Sequence, residues 1–302
     1  MSELSWDQLF ERFLSSRRLT ASTIRGYRKN LRTFLEFTPA PSPLETTSAH
    51  LGAFYLAQKS RPQVSLATAG SRLRTVLLLL RWAVQQELMA FDPGHDIQIA
   101  EPRRPIPRIL TRQEVDALIA VDSDENSFWA LRDAAILETL YGSGLRAGEA
   151  VSLDLEDVDL AEDFFSVHPS KSKARRTPFG VSVARALAAY LKVRDQQAQV
   201  LEKAFFVSRH GYRMDAGAVA SLVRRRARIL GIADATPHAL RRAFATHMLE
   251  NGANIVELKN LLGHEDINST LYYAQVVPTE MLRSYHRSHP RARRARGDDH
   301  GF

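Results

Sequence analysis

Three short stretches group residues that could act on a phosphate. In Thr236-Pro237-His238-Ala239-Leu240-Arg241, a good N-cap and a good first helical residue precede a histidine and an arginine. Their i, i+3 spacing puts His238 and Arg241 on one face at the positive end of a helix. There they could hold an anion and move a proton. In Gly142-Ser143-Gly144-Leu145-Arg146, glycines break one helix and another begins at Arg146. A guanidinium beside exposed backbone N–H groups suits a phosphate. Glu149 shares that face and either orients Arg146 or offsets the helix dipole. In Leu261-Leu262-Gly263-His264, a glycine stops a helix directly before a histidine. Tyr273 lies nine residues on. One continuous helix, at about 100° per residue, would point the two apart. Asp266-Ile267-Asn268-Ser269-Thr270 supplies turn and cap residues that redirect the chain, so both can reach one site. Spacing does not separate Tyr273 from its neighbour Tyr272. Lys171 and Lys173, at a hairpin tip, could protonate a leaving oxygen. Taken singly, each of these residues also reads as an ordinary cap, surface charge or core side chain.

Other chemistries are excluded or unsupported. The 302 residues include no cysteine, which removes disulfides, thiolate zinc sites, iron–sulfur clusters and cysteine nucleophiles. No histidines fall at i, i+4 spacing, and His286 and His289 read as tail residues. No glycine-rich nucleotide loop is present. We therefore expect no metal and no cofactor. Apolar runs such as Val76 to Leu80 are far too short to cross a bilayer. The start, Met1-Ser2-Glu3, is acidic and lacks an apolar leader, so the expected location is the cytoplasm, with no membrane partner.

These residues must be positioned by helices for the most part. A hydrophobic content of 44% is enough for real cores, and the length suggests two domains. Apolar periodicity and caps predict helices from Trp6, over Thr20 to Phe37, about Ser48 to Lys59 and about Leu66 to Met89. They form an all-α domain over 1–91. Residues 92–109 carry four prolines and three arginines and read as an extended basic linker. Residues 110–302 form the second domain, opened by the capping box Thr111-Arg-Gln-Glu114. Its expected helices lie at 112–120, 128–141, 147–152, 182–197, 216–230, 238–250, 254–262, 269–274 and 278–287. Its expected strands are Leu155 to Leu160, Phe164 to Val167 and Arg175 to Phe179, the last two joined by the hairpin carrying Lys171. The net charge of +7 hides an asymmetry. Residues 110–163 sum to −11 and residues 164–302 to +12. Such a pattern fits a protein that offers a basic surface to nucleic acid and turns its acidic part away. Residues 1–108 and 164–290 should supply that surface, with Arg146 the inward exception.

Taken together and in this order, Arg146, Lys171, the His238/Arg241 pair, His264 and Tyr273 resemble the tyrosine recombinase (phage integrase) superfamily. Three stretches carry the likeness: Leu140-Tyr-Gly-Ser-Gly-Leu-Arg146-Ala-Gly-Glu149, Thr236-Pro-His-Ala-Leu-Arg-Arg-Ala-Phe-Ala-Thr-His-Met248 and Leu261-Leu-Gly-His-Glu-Asp-Ile-Asn-Ser-Thr-Leu-Tyr-Tyr273. The ending, His286-Arg-Ser-His-Pro-Arg-Ala292, is similar to the Xer branch. The resemblance implies a mainly α fold with a small antiparallel β-sheet: an N-terminal helical, SAM-like core-binding domain followed by an α+β catalytic domain. It implies Tyr273 as nucleophile, forming a 3′-phosphotyrosyl link and a free 5′-hydroxyl without ATP. Arg146, Arg241 and His264 would contact the scissile phosphate, His238 would help as acid or base, and Lys171 would be the general acid. The implied partner is a double-stranded recombination site. It would be bound by a tetramer, of this chain alone or with a homologous second recombinase, that passes through a Holliday junction. Xer-type dimer resolution is the leading role. An element-encoded integrase or resolvase is the alternative within the family; a type IB topoisomerase and an inactive DNA-binding protein are the others. Two positions depart from the pattern. Lys171 stands seven residues before Pro178, where the family often has eight, so Lys173 stays open as the general acid. Arg242 stands where many relatives have a second histidine.

Overall fold

In the computed structural model, capped helices separated by proline- and glycine-bearing turns gather into two compact units, Met1–Pro105 and Ile106–Phe302. The structure describes residues 4–38, 42–100, 108–120, 127–168 and 174–263. Lys171, Lys173, His264, Tyr272, Tyr273 and the helices expected at 269–274 and 278–287 lie outside the described residues. Among the described residues, no helix is long and apolar enough to cross a membrane.

The first unit contains α1 (Trp6–Ser15), α2 (Ala21–Leu35), α3 (Ser48–Lys59) and α4 (Leu66–Gln85). Each begins at a hydroxyl that accepts a backbone N–H of the first turn: Ser5, Thr20, Thr47 and Ser65. Such a cap satisfies one of the donors a helix start leaves orphaned. The apolar stripes of the four helices close on an aromatic cluster. Phe34 packs edge-on between Trp6 and Phe54, with ring centroids 5.6 and 5.2 Å away. Arg25, Arg28, Lys29 and Arg32 stay exposed on α2. Helix α4 stops short of the expected Met89 because Glu87 takes a left-handed φ of 56° and Leu88 N–H turns back to the Ala83 carbonyl. The stretch after Asp92, expected to begin the linker, stays on this unit at first. Ile97 and Ile99 pack on the helical core, and Ser48 Oγ donates to the Pro93 carbonyl at 2.6 Å.

The second unit comprises α5 (Arg112–Ile119), α6 (Phe128–Gly142), α7 (Ala147–Ser152), β1 (Val158–Asp159), β2 (Phe164–Val167), β3 (Arg175–Pro178), α8 (Val181–Arg194), α9 (Ala216–Leu230), α10 (Pro237–Glu250) and α11 (Ile255–Leu262). Helix α6 buries Ala134, Ile136, Leu137 and Leu140 and packs against α8 and α10. The strands form one antiparallel sheet in the order β1-β2-β3, with Phe165 opposite Thr177 and Val167 opposite Arg175. Period-two alternation sends Phe165, Val167 and Thr177 inward and leaves Arg176 and Pro178 exposed. The strand expected from Leu155 is different: Leu155–Asp157 is a 3₁₀ turn and only Val158–Asp159 pairs. Asp157 accepts the Asp154 N–H at 2.9 Å, and this local bond displaces the ladder.

Candidate active site

Four elements of the second unit bring polar groups to one place. The first is the turn between α6 and α7. Gly144 there has φ +65°, and a Cβ on it would stand 2.5 Å from the Phe244 ring. Only glycine meets both demands. The turn delivers two groups. Arg146 becomes the N-cap of α7, and the Gly144 carbonyl accepts from Arg241 Nη1 at 2.8 Å.

The second element is α10. Thr236 caps it by accepting the Ala239 N–H at 3.0 Å, and Pro237 fills the first helical position. His238 and Arg241 share a face, as their spacing predicts, but lie at different depths. His238 is exposed, whereas Arg241 is 1% exposed. Arg241 Nη2 donates to the Leu262 carbonyl at 2.5 Å, at the end of the third element, α11. Gly263 caps α11 with φ +63°.

The fourth element is β3, which contributes a residue that sequence reasoning missed. Arg175 is 10% exposed at its side chain and donates from Nε to the Leu261 carbonyl at 3.0 Å. Its Nη1 and Nη2 grip the two oxygens of Glu149 at 3.1 and 2.9 Å. One signal could have revealed it: on a strand whose Thr177 faces inward, the period of two turns Arg175 inward as well.

Glu149 is the centre of the arrangement. Its side chain is 6% exposed. It accepts the Arg146 backbone N–H and Arg146 Nη1, both at 2.9 Å, and lies 3.5 Å from Arg241 Nη1. Glu149 thus orients Arg146 and, as an acid in the first turn of α7, accepts the N–H of the residue that caps it. Burial pushes its carboxyl pKa up, but the bond from Arg175, the Arg146 backbone N–H and both positive charges outweigh that and hold it below the ordinary value. One carboxylate among three guanidiniums leaves an excess of positive charge. The Arg146 side chain keeps 46% of its surface exposed beside it. His238, though exposed, is held below its ordinary pKa, first by partial desolvation and then by Arg242, Arg241 and Arg146. That direction favours the neutral ring, the form that can accept a proton. Such a site can bind a phosphodiester and stabilise added negative charge without reorganising.

The structure thus joins Arg146, Arg241, Glu149 and Arg175, with His238 in their field. A further pair lies beside them. Tyr141, one residue before the glycine turn, meets His247 Nδ1 of α10 at 3.0 Å.

The phage integrase family matches residues 108–280, and the phage integrase N-terminal SAM-like domain matches residues 7–87. The chain belongs to the phage integrase family. Tyrosine recombinase XerC of Corynebacterium efficiens is 34% identical over 90% of the chain and 86% of its own length. Tyrosine recombinase XerC of Pseudomonas aeruginosa is 34% identical over 98% of the chain and 97% of its own. The structure of XerA recombinase is 27% identical and superposes with a TM-score of 0.53, covering 93% of this chain and 97% of that one. The XerH site-specific recombinase, solved on its palindromic difH substrate, shares the fold with a TM-score of 0.71 at 19% identity over 93% of this chain and 84% of that one. The chain is an enzyme of site-specific tyrosine recombination, of the Xer type. Its mainly helical architecture, with one small antiparallel sheet, is the fold expected of that family.

Proposed function

We propose that this recombinase cleaves a double-stranded DNA site with Tyr273. The Tyr273 oxygen attacks phosphorus and the bond from phosphorus to the 5′ oxygen breaks. The 3′ side is left on tyrosine and the 5′ side leaves as a hydroxyl. The phenolic proton passes to His238, and Lys171 protonates the leaving oxygen. Arg146, Arg241 and His264 surround the phosphate. The bond energy is kept in the phosphotyrosyl link, so the 5′-hydroxyl of another strand reverses the step without ATP. A tetramer on paired sites, built from this chain alone or with a homologous second recombinase, carries the exchange through a Holliday junction. Resolution of chromosome or plasmid dimers in the cytoplasm is the role we assign.

The single observation that carries this reading is the buried Glu149. It gathers Arg146, Arg175 and Arg241 into a charge centre open at Arg146, with His238 in its field. The test is a nicked duplex carrying the cognate site, which traps a covalent adduct because the cleaved 5′ fragment diffuses away. The adduct should form with the parent and with Tyr272→Phe and vanish with Tyr273→Phe. Survival of the adduct in Tyr273→Phe overturns the assignment.

A further inference from the structure

The Glu149 carboxylate is saturated, and the way it is saturated divides two roles. A carboxylate offers about four acceptor sites. Here Oε1 takes Arg146 Nη1 at 2.9 Å and Arg175 Nη1 at 3.1 Å. Oε2 takes the Arg146 backbone N–H at 2.9 Å and Arg175 Nη2 at 2.9 Å. Each oxygen is therefore shared between the exposed arginine and the buried one. Arg175 is itself fixed. Its Nε is tied to the Leu261 carbonyl, and a Cβ on Gly263 would lie 2.8 Å from Nη1. A planar guanidinium held at three nitrogens can present its fork in only one plane. Remove that fork and half the bonds that fix the Glu149 carboxylate disappear, while its hold on the half-exposed Arg146 side chain depends on the carboxylate plane.

We infer that Arg175 is a positioning residue for DNA cleavage: it fixes the plane of Glu149, and Glu149 in turn aims Arg146 at the scissile phosphate. The inference rests on the proposed contact between Arg146 and that phosphate. It requires no contact between Arg175 and DNA. The bidentate fork is what matters, so a lysine, with one charge and no plane, replaces it only in part.

The test compares two nicked duplexes, one with the natural scissile phosphate and one with a neutral methylphosphonate there. Without the negative charge, attack on phosphorus depends less on a well-aimed guanidinium, so a loss that acts through Arg146 shrinks on the methylphosphonate. On the natural duplex we expect Arg175→Lys to slow adduct formation about 10-fold and Arg175→Ala about 100-fold, the range typical of outer partners that orient a reacting group. Duplex affinity should stay unchanged. On the methylphosphonate both deficits should fall to within about 3-fold of the parent, as should that of Arg146→Ala. Adding Arg175→Lys to Arg146→Ala should cost little more, because the two act in series. If Arg175→Ala does not fold, Arg175→Lys carries the comparison. Equal deficits on both duplexes for Arg175→Lys, with relief in Arg146→Ala, overturn the inference. No relief in Arg146→Ala overturns the reading of Arg146 itself, and the inference with it.

Discussion

Replacing Glu149 by glutamine keeps the side chain's shape and removes its charge. The structure sets the cost. Glu149 is 6% exposed at its side chain, and its partners Arg175 and Arg241 are 10% and 1% exposed. In either orientation the glutamine amide nitrogen would face N–H groups of Arg146 and Arg175, donor against donor, at two of the four bonds the carboxylate now accepts. Breaking a buried pair from one side costs about 3–5 kcal/mol, because the remaining charges stay buried and uncompensated. For a unit of this size that is a fall in Tm on the order of 10 °C. The pH dependence follows from linkage. The folded-state carboxyl pKa lies below the ordinary 4.5, so the unfolded chain takes up the proton first as pH falls. The stabilisation is therefore complete above pH 4.5 and is lost as pH falls through the folded-state value. Thermal unfolding of parent and Glu149→Gln should show a wide gap at neutral pH that narrows on acidification. A variant that melts within about 2 °C of the parent at neutral pH, a difference of under 1 kcal/mol, refutes the reasoning.

Three further outcomes are expected. Arg242→Ala removes the positive charge that acts most strongly on His238, so the His238 pKa should rise toward 6.5; an NMR titration of the ring that shows no rise would count against the electrostatic reading. Gly144→Ala forces a side chain into a φ of +65° and against Phe244; we expect at least about 1–2 kcal/mol of destabilisation from the backbone conformation alone. Adduct formation in Gly144→Ala should fall more than duplex binding, because the Gly144 carbonyl holds Arg241. Tyr141→Phe deletes the bond to His247 and should cost about 1 kcal/mol in denaturant unfolding; an unchanged unfolding midpoint would count against that bond.

Much of this architecture is legible in local sequence. Helix α9 runs from Ala216 to Leu230 as its periodicity requires, because Asp215 caps one end and Gly231, at φ +66°, closes the other. The glycine turn before Arg146 and the Thr236-Pro237 start of α10 announce themselves in the same way. Legibility fails where the deciding partner is distant or competes locally. Leu155 reads as a strand because alternation shows and the Asp154–Asp157 bond does not. Arg175 reads as a strand cation because its partners, Glu149 and Leu261, stand 26 and 86 residues away. Arg241 reads equally well as a surface charge. Its burial depends on carbonyls at Gly144 and Leu262, which no single window of sequence contains.

The central claim is that a tyrosine of this chain becomes covalently joined to DNA at a phosphate held by this arginine cluster. The direct measurement is mass spectrometry of peptides from the trapped adduct on the nicked cognate duplex. The phosphonucleotide mass should sit on Tyr273 and on no other residue, and Arg146→Ala should lower its yield by about 100-fold or more. A nucleotide found on Tyr272, on a serine, or on no residue at all would contradict the account.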